Sequence, residues 1–205
     1  MNQSYELLSI AIPLGIVLLA LTIHEAAHAW TADKLGDPTA RLLGRVSLNP
    51  IVHIDPIGTV LLPLLAAFSG LPIIGWAKPV PVNISRLRQP RRDFVVVAAA
   101  GPISNLLQAV IAALIVHVTM PDGVLPDVLR MAVTINVFLA LFNLIPVPPL
   151  DGGNVLAGLL PRSAANVFVR MQPFGFLILY ALMFTGVLSA MILPPAIFLI
   201  RLLLP

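Results

Sequence analysis

The sequence has no cysteine, and only 10% of its 205 residues are charged. An average soluble domain carries roughly 25% charged residues. Without cysteine there is no disulfide, no thiolate zinc site and no cysteine nucleophile. The shortage of charge, beside 59% hydrophobic residues and a mean hydropathy of +0.99, excludes a disordered chain, a coiled coil and an ordinary soluble enzyme. The pI is near 10.0, but the net charge is only +3. The basic residues fall between apolar runs, which reads as membrane orientation and not as a phosphate footprint, so no nucleic-acid partner is expected. No Lys or Arg precedes the first apolar run, so the charged start of a cleavable signal is missing and the first helix is expected to be retained.

What is present is a series of long apolar runs. The first, Leu7 to Ile23, continues without a breaker to Lys34, and Gly36 stops it. A helix over Leu7–Lys34 would be about 42 Å long, enough to cross a bilayer. Ile57–Ile74 is broken by Pro63, Gly70 and Pro72. Phe94–Thr119 holds Gly101-Pro102 within it. Val128–Ile145 runs into Pro146–Gly153, and Phe174–Leu204 is broken at Pro194-Pro195. This pattern predicts an all-α polytopic membrane protein with about four transmembrane helices, plus Ile57–Ile74 as a re-entrant or fifth apolar segment. No repeat or flexible linker divides residues 1–205, which read as a single domain. Lys34–Arg92 holds eight of the twelve basic residues, on both sides of Ile57–Ile74, and Met120–Asp127 holds none. The positive-inside rule then places both basic segments in the cytoplasm and makes Ile57–Ile74 re-entrant. The alternative is a full span with one basic segment outside. Asp151 falls toward the cytoplasmic side, with Lys34.

The chemistry concentrates at His24-Glu25-Ala26-Ala27-His28, an H-E-x-x-H pattern. Histidines at i and i+4 share a helix face, so both imidazoles reach one metal, and the intervening Glu25 stands beside it to take a proton from water. Ionisable groups in an apolar helix are functional candidates by default. Zinc needs a third protein ligand and an open position. Lys34 occupies the place of a third histidine of the long zinc motif. Glu6, the other glutamate, lies at the far end of the same helix. His53, His117 and seven aspartates remain. Asp151 is the strongest of these, because it follows an apolar span and a proline-rich break, with Gly152 and Gly153 giving room for close approach. It also suits an N-cap for a helix over Asn154–Leu160. His53 reads as a solvated loop residue and His117 as an interfacial one. Asn105, Asn136 and Asn143 suit interhelical hydrogen bonds. Asn105 and Asn143 equally suit holding an unwound peptide or a developing oxyanion. Trp30 and Trp76 read as interfacial anchors.

His24-Glu25-x-x-His28 resembles the zinc motif of the site-2 protease family of intramembrane metalloproteases. Gly101-Pro102-Ile103-Ser104-Asn105 resembles that family's G-P-x-x-N helix motif. Phe142–Gly153 is similar to its N-x-x-P-x-P-x-L-D-G signature. The match covers roughly residues 7–160, and Leu35–Ala40 with Gly75–Pro81 resembles the compact bacterial and archaeal branch. The resemblance implies one zinc ion per chain, held by His24, His28 and Asp151, with Glu25 as the catalytic glutamate. It implies Asn105 and Asn143 near the active site, and a membrane-dipping β-hairpin around Trp76–Asn83 that offers an edge to substrate. It implies hydrolysis within or near the transmembrane helix of a membrane-protein substrate, in a prokaryotic inner membrane. Met120–Asp127 is too short for a PDZ domain, and no CBS pair is expected. Partners are then the bilayer, a transmembrane substrate, and a membrane adaptor or a second copy. The rival is a catalytically silent membrane scaffold that binds helices through the same groove.

Overall fold

A computed structural model of the chain describes residues 3–62, 65, 68, 75–118 and 123–204. Helix α1 (Gln3–Lys34) carries Pro13 inside it, a proline that membrane helices tolerate. It ends where Gly36 takes φ +113°, a left-handed conformation that side chains rarely adopt. A short helix α2 (Thr39–Leu42) follows. Two single turns come next, Pro50–His53 and Pro56–Leu61. Each opens as its sequence dictates. Asn49 and Asp55 cap the free N–H groups with their side-chain oxygens, and a proline takes the first helical position. Helix α3 (Pro90–Val118) starts with Asp93 accepting the Gln89 N–H at 2.7 Å. Helices α4 (Val124–Asn143), α5 (Asp151–Leu159), α6 (Arg162–Arg170), α7 (Gly175–Phe184) and α8 (Val187–Leu203) complete the chain.

Among the described residues, four stretches are long and apolar enough to cross a membrane: Leu8–Lys34, Pro90–Val118, Val124–Asn143 and Ser163–Phe184. The protein is therefore a multi-pass membrane protein of mainly helical build. The last apolar run differs from expectation. Its break falls at Gly186, which takes φ +75° between α7 and α8, and Pro194 and Pro195 lie inside α8. Packing holds α8 together through these prolines. Leu188, Ile192 and Ala196 join Ala109, Ala112 and Ala113 of α3 and Val133 and Val137 of α4 in one buried core. The alanines of α3 let neighbouring helices approach closely, the usual packing logic within lipid. The opposite side of α3 presents Leu107, Ile111 and Leu114 outward, suited to acyl chains.

The expected β-hairpin is not found: the described residues contain no strand. Trp76–Asn83 is extended, as its prolines dictate, but its backbone partners are turns. Trp76 N–H donates to Gly58 O at 3.1 Å, and Lys78 N–H donates to His53 O at 2.8 Å. Pro79 and Pro81 have no N–H to offer a ladder. Whether Ile57–Ile74 spans or re-enters turns on residues 63–64, 66–67 and 69–74, which lie outside the described residues; so do residues 119–122 of the Met120–Asp127 turn.

Asp37 ties the end of α1 to the extended segment. It is fully buried and accepts the Asn83 N–H at 2.6 Å, the Thr39 N–H at 3.1 Å and the Thr39 hydroxyl. Burial alone pushes its pKa up. The hydrogen bonds from Thr39 and Asn83, with the charge of Arg86, outweigh this and hold the carboxyl below its usual range. A group with a depressed folded-state pKa stabilises fully above its unfolded pKa of about 4 and less as pH falls below that. Asp37→Ala should lower stability by about 1.5–3 kcal/mol. Thermal unfolding in detergent should show that loss at pH 7, and the difference from wild type should narrow as the pH falls below about 4. An equal difference at both pH values would contradict the account.

Candidate metal centre

α1 and α4 run toward one end of the bundle, and α3 runs away from it. His24 and His28, one turn apart on α1, therefore meet the first half of α3 and the turn after α4. Their Nε2 atoms are 3.1 Å apart. Asp151 Oδ2 lies 3.0 Å from His24 Nε2 and 3.3 Å from His28 Nε2. These three side chains form the one group of potential ligands found among the described residues. The spacing fits zinc. With bonds of about 2.0–2.1 Å, the edge of a tetrahedral site is about 3.3 Å, close to all three separations. Space for an ion is provided by Gly101. A Cβ there would lie 2.3 Å from His28 Nε2 and 2.5 Å from His24 Nε2. Two imidazoles and one carboxylate leave the fourth position open, as in catalytic zinc sites.

Asp151 reaches this point through two glycines. It is the first residue of α5, so the N-cap role falls to Leu150, and no side-chain cap bond forms. A Cβ on Gly152 would stand 2.2 Å from Leu144 O, and one on Gly153 would stand 2.8 Å from the Val147 and Pro148 backbone. Only glycine lets α5 fold this closely under the end of α4. Arg91 Nε, at the start of α3, donates to Gly158 O at 2.7 Å and holds the other end of α5.

The imidazoles are held from behind. His28 Nδ1 lies 2.7 Å from Val97 O, and His24 Nδ1 lies 2.6 Å from Asn105 Oδ1. Asn105 is fully buried, and its nitrogen donates to Asn136 Oδ1 at 2.9 Å. Both ends of its amide are therefore engaged inside the protein. Asn143 is half-buried at the end of α4 and donates to Leu139 O at 2.9 Å. Glu25 is half-buried on the adjacent face of α1 and lies within range of the Arg45 charge.

His53 is not solvated: it is 3% exposed. It donates from Nε2 to Ser47 O at 2.8 Å, while Arg45 approaches its Nδ1 at 3.5 Å and bonds Lys78 O. These bonds fix the extended segment against the loop after α2. Arg45 itself is 5% exposed, and nothing in its local sequence marks it as buried. His117 is exposed and bonds its own helix at Ala113 O, consistent with an interfacial place. Trp30 is exposed, whereas Trp76 is drawn inward. It packs on Gly58 and against the Phe176 ring at 4.9 Å.

The model of peptidase family M50 matches residues 118–186. The chain is 37% identical over 187 residues to "Putative zinc metalloprotease YwhC" of Bacillus subtilis, covering 87% of this chain and 82% of that protein. It is 29% identical over 178 residues to "Putative zinc metalloprotease Rip2" of Mycolicibacterium smegmatis, covering 84% of this chain and 66% of that protein. A Rip2 of Mycobacterium tuberculosis is likewise 29% identical, over 177 residues. No solved structure matches. The chain belongs to peptidase family M50, the site-2 protease family that its three motifs resemble.

Gly101→Ala should remove the space between the imidazoles. Metal analysis of the purified variant should show zinc falling from about one per chain toward none, with helical content by circular dichroism unchanged. Full zinc occupancy in that variant would disprove the cradle.

Proposed function

We propose that the protein is a zinc-dependent intramembrane endopeptidase, with His24, His28 and Asp151 holding one zinc ion and Glu25 as the acid–base residue. The observation that carries this reading is the convergence of three donors, at zinc-site spacing, at membrane depth. His28 and His24 lie six and ten residues from the Lys34 end of the Leu8–Lys34 stretch. That is about 9 and 15 Å along the helix axis, inside a hydrocarbon core roughly 30 Å thick. The same end of the bundle carries exposed Arg86, Arg88, Arg91 and Arg92, which supports a cytoplasmic orientation of the site. The names of the relatives support zinc, and their organisms support a bacterial setting.

Bound there, zinc supplies Lewis acidity to a water, bringing its pKa toward roughly 7, and to the peptide carbonyl. Glu25, next along the helix from His24, accepts the water proton at a carboxylate oxygen and returns it to the leaving nitrogen. A helical substrate hides its carbonyls in i→i−4 hydrogen bonds, so the scissile segment must unwind first. Asn143 uses one of its two amide hydrogens on Leu139 O, and its second remains for a substrate carbonyl or oxyanion. Asn105 is spent on His24 and Asn136, which favours a positioning role over substrate contact. Selection among membrane proteins then rests on the membrane core itself, on prior trimming of the substrate, or on an adaptor or second copy.

The test is cleavage in liposomes of a single-span membrane protein with glycine and asparagine in its transmembrane segment. Wild type should cut within or near that segment, located by mass spectrometry. Glu25→Gln should keep its zinc and lose about 10²–10⁴-fold in rate. Asp151→Ala should lose both zinc and activity. Undiminished cleavage by Glu25→Gln would remove the acid–base assignment. A zinc-loaded wild type that binds helices and never cuts them would favour the scaffold reading.

A further inference from the structure

We propose that Asn136 is a positioning residue for the metal centre: a one-way hydrogen-bond chain from Asn136 through Asn105 fixes the tautomer of His24, so that the Nε2 lone pair faces Asp151 and His28. This rests on the zinc-site reading above and adds to it a residue of α4 that is linked to His24 through Asn105.

The direction of the chain follows from which atoms can donate. The Ala132 carbonyl only accepts, so the Asn136 atom 3.0 Å from it is the amide nitrogen. That turns the Asn136 oxygen toward Asn105, and the Asn105 atom 2.9 Å away must be its nitrogen. A second atom that can only accept, the Ala20 carbonyl at 3.4 Å, demands the same orientation. The Asn105 oxygen is left to face His24 Nδ1 at 2.6 Å. This nitrogen therefore carries the hydrogen, and in the neutral ring Nε2 is a bare acceptor. Flipping Asn136 would set oxygen against oxygen at Ala132 and donor against donor at Asn105, and flipping Asn105 would set its oxygen against both Asn136 Oδ1 and the Ala20 carbonyl. Asn105 is 0% exposed and Asn136 3%, so bulk water cannot relieve such a mismatch.

His28 reaches the same state by a shorter route, since its Nδ1 meets the Val97 carbonyl directly. The two ligands are thus set by different devices. A backbone atom orients His28, whereas His24 depends on two side chains. A lone pair on Nε2 is what metal binding requires, and the partner on the other ring nitrogen selects it. Asn136 consequently does more than bridge α3 and α4: its polarity is transmitted to the metal ligand.

The experiment uses the full-length chain in detergent, with zinc affinity measured by chelator competition. Asn136→Leu should weaken zinc binding about 10–100-fold. Thr134→Val removes a similar intrahelical bond in α4, from the Thr134 hydroxyl to Arg130 O at 3.0 Å, and should leave affinity unchanged. Nitrogen-15 NMR of histidine-labelled protein should show His24 protonated at Nδ1 in wild type and mixed tautomers in Asn136→Leu. Should Asn136→Leu fail to fold, Asn136→Ala is read the same way. Asn105→Asp can only accept from His24, so in that background Asn136→Leu should change affinity less than about twofold. Wild-type affinity and tautomer in the Asn136 variants would overturn the proposal, as would an equal loss in Thr134→Val. A wild type that binds no zinc would refute the metal site itself, a failure distinct from that of the relay.

Discussion

The constraint on which the rest of the structure depends is the approach of one carboxylate to two imidazoles, within 3.0–3.3 Å, inside an apolar bundle. Uncompensated, three such groups at that depth are costly. Each imidazole is therefore given a defined partner behind it: Val97 O for His28 and Asn105 for His24. A metal ion would complete that compensation, since Asp151 Oδ2 is buried without an ordinary hydrogen-bond donor.

Much of the architecture follows from that approach. Glycine recurs where backbone must come close to the site. Gly101 leaves room between the imidazoles, and Gly152 and Gly153 let α5 tuck under α4 so that its first residue points at α1. The small residues of α3 bring α4 and α8 near enough to form the core that keeps these helices in register. On the basic side, Asp37, Arg45 and His53 pin the extended segment around Trp76–Asn83 to the end of α1 and the loops that follow. Glu25, beside His24 on α1, lies within range of Arg45, which bonds the extended segment at Lys78 O.

The grouping of His24, His28 and Asp151 was largely legible in the sequence because its chemistry is local. The four-residue spacing of His24 and His28 survives any tertiary arrangement that keeps α1 helical. Elimination among nine acidic residues and four histidines then narrowed the third ligand to Asp151 with a few rivals. What stayed hidden depends on tertiary contacts. The burial of His53 comes from Arg45 and Ser47 folding over it, and no periodicity encodes that. The break of the last apolar run was expected at Pro194-Pro195 and fell at Gly186. A left-handed glycine ends a helix more firmly than prolines that neighbouring packing tolerates. The expected hairpin was an extended segment anchored to turns, because Pro79 and Pro81 have no N–H to build a ladder. Asn136 looked like a bridge between helices, and only the acceptor atoms at both ends of its chain reveal a direction.

The most direct test of the central claim is X-ray absorption at the zinc edge of the purified, active protein. The account predicts four nitrogen and oxygen neighbours at about 2.0–2.1 Å, with the multiple-scattering signature of two imidazoles and no more. Three imidazoles would place His53 or His117 in the coordination sphere and contradict the assignment of Asp151.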